Sequence, residues 1–184
     1  MGKVGGLVPP ELLAEYHDLG NFRSGEAPLD DWLKRRARAN QVSGASRTYV
    51  LSEERRVVGY YALASGVVTV ESAPGRFRRN RPNPIPVVVL ARLAVDSDWQ
   101  GRGLGRALFR DAARRVANAA DAIGIRGIVV HAISEEAKKF YLALGFDASP
   151  VEPMTLMVTL SDVRAALSET APVSQTAPFS QTAR

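Results

Sequence analysis

The chain has 184 residues, enough for one domain to bury a self-sufficient core without disulfides or metal. Apolar residues make up 46% and charged residues 23%, and no run approaches the roughly 18 apolar residues of a membrane span. With no cysteine there are no thiolate nucleophiles, disulfides or cysteine-ligated zinc, and the distant His17 and His131 do not make a metal site.

The opening MGKVGGLVPPELL has one lysine and no apolar core ending in a small-residue cleavage site, so the expected location is the cytosol. The net charge of +5 sits almost wholly in arginine, which suits bidentate phosphate contact. A polyanionic partner and a merely basic composition account for it equally well.

Pro28-Leu29-Asp30-Asp31-Trp32 predicts a helix start with acidic residues at its positive end, running to about Asn40 before Ser43-Gly44. Trp32, Leu33, Arg36 and Ala37 then share one face, while Arg35 and Arg38 lean away. Arg47 to Ser52 and Val57 to Ala64, separated by Glu53-Glu54-Arg55-Arg56, predict a hairpin. A proline-rich crossing over 72–86 carries Arg76, Arg78, Arg79 and Arg81.

Val87 to Val95, broken only by Arg92, predicts a central strand buried on both faces, with Pro86 tolerated at its start. From Gly103 to about Ile123, Leu104, Ala107, Leu108, Ala112, Val116, Ala119 and Ile123 recur at three- and four-residue steps, the pattern of an amphipathic helix lying on a sheet. Ile125 to Ala132 predicts another strand, Ser134 a helix N-cap ahead of Glu135 and Glu136, Gly145 the helix stop, and Thr155 to Leu160 a last strand. Residues 168–184, SETAPVSQTAPFSQTAR, form a near-repeat too poor in large apolar groups to order itself, leaving 1–167 as the domain. The strand-helix-strand unit must cross over right-handedly between parallel strands, so the class is α/β or α+β with a mixed sheet.

Gln100-Gly101-Arg102-Gly103-Leu104-Gly105 leaves the predicted central strand and opens the amphipathic helix. Such a turn presents backbone N–H groups, unhindered by Cβ, at the positive end of a helix dipole, and so binds phosphate or pyrophosphate. Arg106 stands where a dinucleotide fingerprint needs glycine or alanine, and no lysine-serine or lysine-threonine pair completes a P-loop.

Leu93-Ala94-Val95, four loop residues and then this turn resemble the pyrophosphate-binding motif of the GNAT N-acetyltransferases. Ser134 to Phe146, with Phe140-Tyr141, three residues and Gly145-Phe146, resembles the second family segment, although many members have asparagine where Ser134 stands. The resemblance implies a twisted mixed sheet flanked by helices, with a splay between two parallel strands. It implies acetyl-coenzyme A held through the backbone of Leu93, Ala94 and Val95 and through Gln100, Gly101, Arg102, Gly103, Leu104, Gly105 and Arg106. It also implies Tyr141 as the general acid for the departing thiolate, with backbone N–H groups of the splayed strand stabilising the oxyanion. On pattern alone, Tyr141 serves equally well as a core aromatic.

Ser43 to Thr48, Gly59 to Ala64, Pro84-Ile85-Pro86, His131 to Ala137 and Pro153 to Leu156 together resemble the acetyltransferase toxins of bacterial toxin-antitoxin pairs, over roughly residues 10–160. That resemblance implies acetylation of the α-amine of the amino acid on charged tRNA, and neutralisation by a ribbon-helix-helix antitoxin that binds operator DNA. It also implies a homodimer. Lys34, Arg35, Arg36 and Arg38 with Arg76, Arg78 and Arg79 offer a phosphate track for tRNA, or simply a solvated charged surface. Arg92, a lone charge in an apolar strand, is expected to face the cleft and orient the tRNA end, the alternative being a buried ion pair. The sequence shows no obvious base, which suits an α-amine already partly neutral near pH 7.7–8.0 (about its free pKa). Acetylation of a small amine or protein N-terminus, and a coenzyme A- or partner-binding module without turnover, are the alternatives.

Overall fold

The apolar run around Val87–Val95 does take the middle of a sheet. A computed structural model describes residues 6–169. Its strands are β1 (Leu7–Leu12), β2 (Arg47–Glu53), β3 (Arg56–Val68), β4 (Ile85–Val95), β5 (Gly127–His131), β6 (Asp147–Ala148) and β7 (Thr155–Thr159). They form one mixed sheet in the order β1-β2-β3-β4-β5-β7-β6, in which only β4 and β5 run parallel. The helices are α1 (Ala27–Arg35), α2 (Ala37–Ser43), α3 (Gly75–Arg78), α4 (Leu104–Ala119), α5 (Glu135–Ala143) and α6 (Leu160–Glu169).

Side-chain alternation along the strands builds a core on each face. On one face Leu90, Ile128, Val130, Leu156 and Val158 pack against Leu108, Ala112 and Val116 of α4, Tyr141 of α5 and Val163 of α6. On the other, Leu29, Leu33 and Ala37 of α1 and α2 cover Val50, Tyr60 and Ala94, while Phe77 of α3 covers Ile85, Val87, Val129 and Met157.

Several expectations need correction. The helix expected from Pro28 to Asn40 breaks at Arg36, whose φ of −119° interrupts the ladder between α1 and α2. Leu29, Leu33 and Ala37 are buried, but Arg36 is exposed. The amphipathic helix stops at Ala119, and Ile123 is 58% exposed beyond it. Ala107 and Ala119 are exposed because the buried stripe runs instead through Leu108, Ala112, Ala113, Val116 and Ala117. Strand β4 is flanked on both sides yet only partly buried: Pro86 is exposed, and Ala91, Arg92 and Leu93 are half-buried where β5 diverges. Strand β1, the short β6 and helices α3 and α6 were not expected. Helix α6 continues through Glu169, two residues past the predicted domain end at 167; residues 170–184 lie outside those described.

Gly127 marks how tightly β5 is seated. A Cβ there would come within 2.0 Å of the Val158 carbonyl oxygen and 2.8 Å of the Phe77 ring. The first obstacle is backbone, which cannot rotate away. Gly127→Ala is therefore expected to destabilise the fold by about 3 kcal/mol, the upper end for overpacking, and to lower the Tm by roughly 6–12 °C, as calorimetric melting would measure.

Candidate active site

The site begins where a ladder ends. β4 and β5 pair only at Val88↔Ile128, Val89↔Val129 and Leu90↔Val130. From Ala91 to Val95, β4 keeps its antiparallel partner β3 on one side but has no strand pairing on the other. Its register against β3 slips between Ala62↔Arg92 and Leu63↔Leu90, making Ala91 an extra, bulged residue. The bulge shifts the alternation by one, so that Arg92 joins Val87 and Ala94 on the face covered by α1 and α3.

Arg92, Leu93, His131, Ala137 and Tyr141 line a cavity of about 60 Å³ in this gap, with Leu29 of α1 at its edge. The Arg92 guanidinium lies 5.3 Å from the Trp32 ring centroid, and Trp32 in turn stacks on Tyr60 at 6.0 Å. Its Nη1 donates to the Ala91 carbonyl oxygen at 2.7 Å. Among the described residues it forms no ion pair, so the buried-pair alternative is not realised.

Tyr141 reaches the gap from the opposite face. Its ring is wedged between Phe140 and Phe146, with centroids 5.1 and 5.4 Å away, and the residue is 8% exposed. Burial pushes its hydroxyl well above the ordinary phenol range, so it stays protonated. That hydroxyl makes no hydrogen bond with another described residue. A neutral, unpartnered O–H at the wall of a slot can donate a proton to an anion forming there.

Beyond β4, Asp96 accepts from the backbone N–H of Arg23 at 3.0 Å and of Asp98 at 3.1 Å, tying a short 3-10 turn to the segment before α1. The Gln100 amide donates to the Ser24 and Val95 carbonyl oxygens at 2.8 and 2.9 Å, so this side chain braces the turn from within. Arg102 is likewise folded back, donating to the Asp98 carbonyl oxygen at 3.0 Å and lying over Trp99. Gly101 and Gly103 have φ of +75° and +78°, and a Cβ at either would meet nothing within 4 Å. Gly103 caps α4 without a side-chain bond, and the first helical bond is made by Ala107 N–H, so the N–H groups of Leu104, Gly105 and Arg106 lack helical partners. At Gly105 a Cβ would stand 3.6 Å from the Phe140 ring, an ordinary contact, so packing there does not require glycine.

Helices α1 and α3 share a face of the sheet, but their cations are not equivalent. Nη2 of Arg38 is held by the loop before α1, facing the Ala14, Glu15 and His17 carbonyl oxygens at 3.4, 3.5 and 2.8 Å. Arg76 grips Asp162 of α6 through two bonds of 2.7 and 2.8 Å. Lys34, Arg35, Arg78 and Arg79 are exposed and form no ion pair among the described residues. Trp32 packs against the core as its helical face predicts and also supports Arg92, while His131, expected only within the toxin-like run and not in a metal site, lines the cavity. The one legible signal was the position of His131, a polar residue ending an apolar run next to the Ser134 cap.

The family model described as acetyltransferase (GNAT) domain matches residues 44–148. The tRNA-acetylating toxin of Mycobacterium tuberculosis is 49% identical over 166 residues, covering 90% of this chain and all of that one. Among solved structures, AtaT complexed with acetyl-methionyl-tRNAfMet has a TM-score of 0.81 at 30% identity, covering 88% of this chain and 99% of that one. An AtaT variant bound to the C-terminus of the antitoxin AtaR and acetyl-CoA has a TM-score of 0.76 at 29% identity, with coverages of 89% and 99%. With its splayed parallel strands, its glycine turn and these relatives, the chain belongs to the GNAT acetyltransferase family and, within it, to the group of the tRNA-acetylating toxins.

Proposed function

We propose that this protein transfers the acetyl group of acetyl-coenzyme A to the α-amine of the amino acid on charged tRNA and so stops translation. The observation that carries the reading is the slot at the end of the β4–β5 ladder, with an unpartnered Tyr141 hydroxyl on one side and an unpaired Arg92 on the other. Its support from relatives is the 49% identity to a tRNA-acetylating toxin and the likeness to AtaT with acetylated tRNA.

The residues fit acetyl-coenzyme A. The open left-handed glycines and uncapped first turn of α4 suit a pyrophosphate, through N–H groups of Gly101 to Arg106. The β4 edge at Leu93, Ala94 and Val95 suits the amides of a pantetheine arm. Tyr141 is then the acid that protonates the thiolate, and Arg92 the group that orients the acceptor end of the tRNA. Gln100 and Arg102 contribute backbone to this site, since their side chains are engaged elsewhere. Lys34, Arg35, Arg78 and Arg79 are the phosphate contacts, whereas Arg38 and Arg76 have structural partners. The same reading includes an antitoxin of ribbon-helix-helix type acting at operator DNA, a homodimer, and the bacterial cytoplasm as location. Relevant here, the AtaT variant was solved with its antitoxin, and among the described residues no helix is long and apolar enough to cross a membrane.

Labelled acetyl-coenzyme A and a pool of aminoacylated tRNA test the reading: label should enter the tRNA, and its failure to do so would sink it. Tyr141→Phe should slow transfer by about 10²–10⁴-fold while leaving acetyl-coenzyme A affinity intact by calorimetry. Gly103→Ala forces a side chain into a left-handed backbone at roughly 1–2 kcal/mol, and acetyl-coenzyme A should bind about tenfold more weakly. Replacing Lys34, Arg35, Arg78 and Arg79 together by serine should raise KM for charged tRNA and flatten its salt dependence. An enzyme for small amines would not respond to that change.

A further inference from the structure

We infer that His131 is the general base of the transfer, held in the required tautomer by Thr155 and Glu152. This rests on the proposed reaction and supplies the proton acceptor that the sequence did not reveal.

Hydrogen-bond direction fixes the tautomer. His131 ends β5 opposite Thr155 of β7, with Nδ1 2.9 Å from Thr155 Oγ1. Thr155 Oγ1 is also 3.1 Å from Glu152 Oε2. A carboxylate only accepts, and a hydroxyl has one hydrogen, so that hydrogen goes to Glu152. Thr155 Oγ1 must then accept from His131, which puts the imidazole hydrogen on Nδ1 and leaves a lone pair on Nε2. Nε2 has no hydrogen-bond partner among the described residues. Thr155 is 6% exposed, its N–H donates to the Glu152 carbonyl oxygen at 2.9 Å, and Ser149 Oγ accepts the N–H groups of Val151 and Glu152 at 3.3 and 3.2 Å. The orienting chain is thus built on a braced turn.

The placement suits the chemistry. Along β5, His131 follows the alternation of Val129, which faces α3, so its ring lies on the face that Arg92 occupies. It lines the same cavity as Arg92, Leu93 and Tyr141. The titratable or charged groups sharing the cavity or the hydrogen-bonded chain with it are Arg92 on β4, Tyr141 on α5 and Glu152 before β7.

The acceptor amine arrives as an ammonium. His131 Nε2 takes one proton, and the freed nitrogen pair forms the C–N bond to the thioester carbonyl carbon. As the C–S bond breaks, the Tyr141 hydroxyl protonates the thiolate, and the tyrosinate recovers its proton from the nitrogen of the new amide. The imidazolium releases its proton to water, balancing ammonium and thioester against amide, thiol and one proton.

Two variants and one spectrum test this. His131→Asn keeps a donor towards Thr155 but has no base, and His131→Ala removes both. At pH 6.5 each is expected to lower kcat on a pool of charged tRNA by about 10²–10⁴-fold, with acetyl-coenzyme A affinity unchanged by calorimetry. The deficit should shrink as pH rises through the free α-amine pKa, about 7.7–8.0, and added imidazole should partly restore His131→Ala. Nitrogen-15 NMR of the labelled full chain should find His131 as the Nδ1–H tautomer when neutral, and Thr155→Val should lose that preference. Transfer by the wild type with equal kcat in His131→Asn would overturn the base alone, as would an Nε2–H tautomer or loss of acetyl-coenzyme A binding in both variants. No transfer to tRNA by the wild type at any pH would overturn the proposed reaction and the base with it.

Discussion

The function of this molecule hangs on three consecutive backbone pairings and the absence of a fourth. Had β4 and β5 continued past Leu90 and Val130, the edge groups of Ala91 to Val95 would be consumed within the sheet. A backbone amide left without a partner in a protein interior costs about as much as a lost hydrogen bond. The chain meets that cost locally by turning Arg92 back onto the Ala91 carbonyl oxygen. The rest of the exposed edge is available to a ligand of amide character.

An open gap in a sheet needs stiff borders, and those here come from polar clamps as well as apolar packing. At the top, Gln100 and Asp96 fasten the glycine turn to the segment ahead of α1. Away from the slot, Asp111 of α4 accepts from the Tyr61 hydroxyl at 2.5 Å and from Arg115 Nε at 2.9 Å, and Arg115 also reaches the Pro10 carbonyl oxygen. Burial first, and then the Asp111 bond, raise the Tyr61 hydroxyl well above the usual phenol range, keeping it a donor. This network ties the edge strand β1, which carries two prolines, to the helix that follows the glycine turn.

Much of the layout was legible because period and punctuation agree in these stretches. The hairpin at 47–64, the β4–α4–β5 crossover, the Ser134 cap and the stop at Gly145 all follow from local rules, and the cap is realised by an Ala137 N–H to Ser134 Oγ bond of 3.1 Å. Strand β1 was hidden by Pro9-Pro10, which local rules read as loop but an edge strand tolerates. Alanines misplaced the buried stripe of α4, since a methyl group weighs little in a hydrophobic pattern and Ala107 and Ala112 look alike in sequence. The site was harder still. The roles of Arg38 and Arg76 are decided by carbonyls and a carboxylate distant in the chain, and the environment of His131 is set by Thr155, 24 residues on. No period in the sequence encodes contacts of that kind.

The gap between β4 and β5 lies where two faces are covered differently: α4 and α5 with the glycine turn on one, α1 and α3 on the other. Under the proposed reaction, two bulky ligands, one ending in a nucleotide and the other an RNA, would approach the same carbonyl carbon from separate faces. Neither must leave to admit the other. Kinetically, such an architecture favours a ternary complex and sequential initial-rate patterns over an exchange mechanism, and it leaves each ligand's affinity free to evolve with little effect on the other's route in.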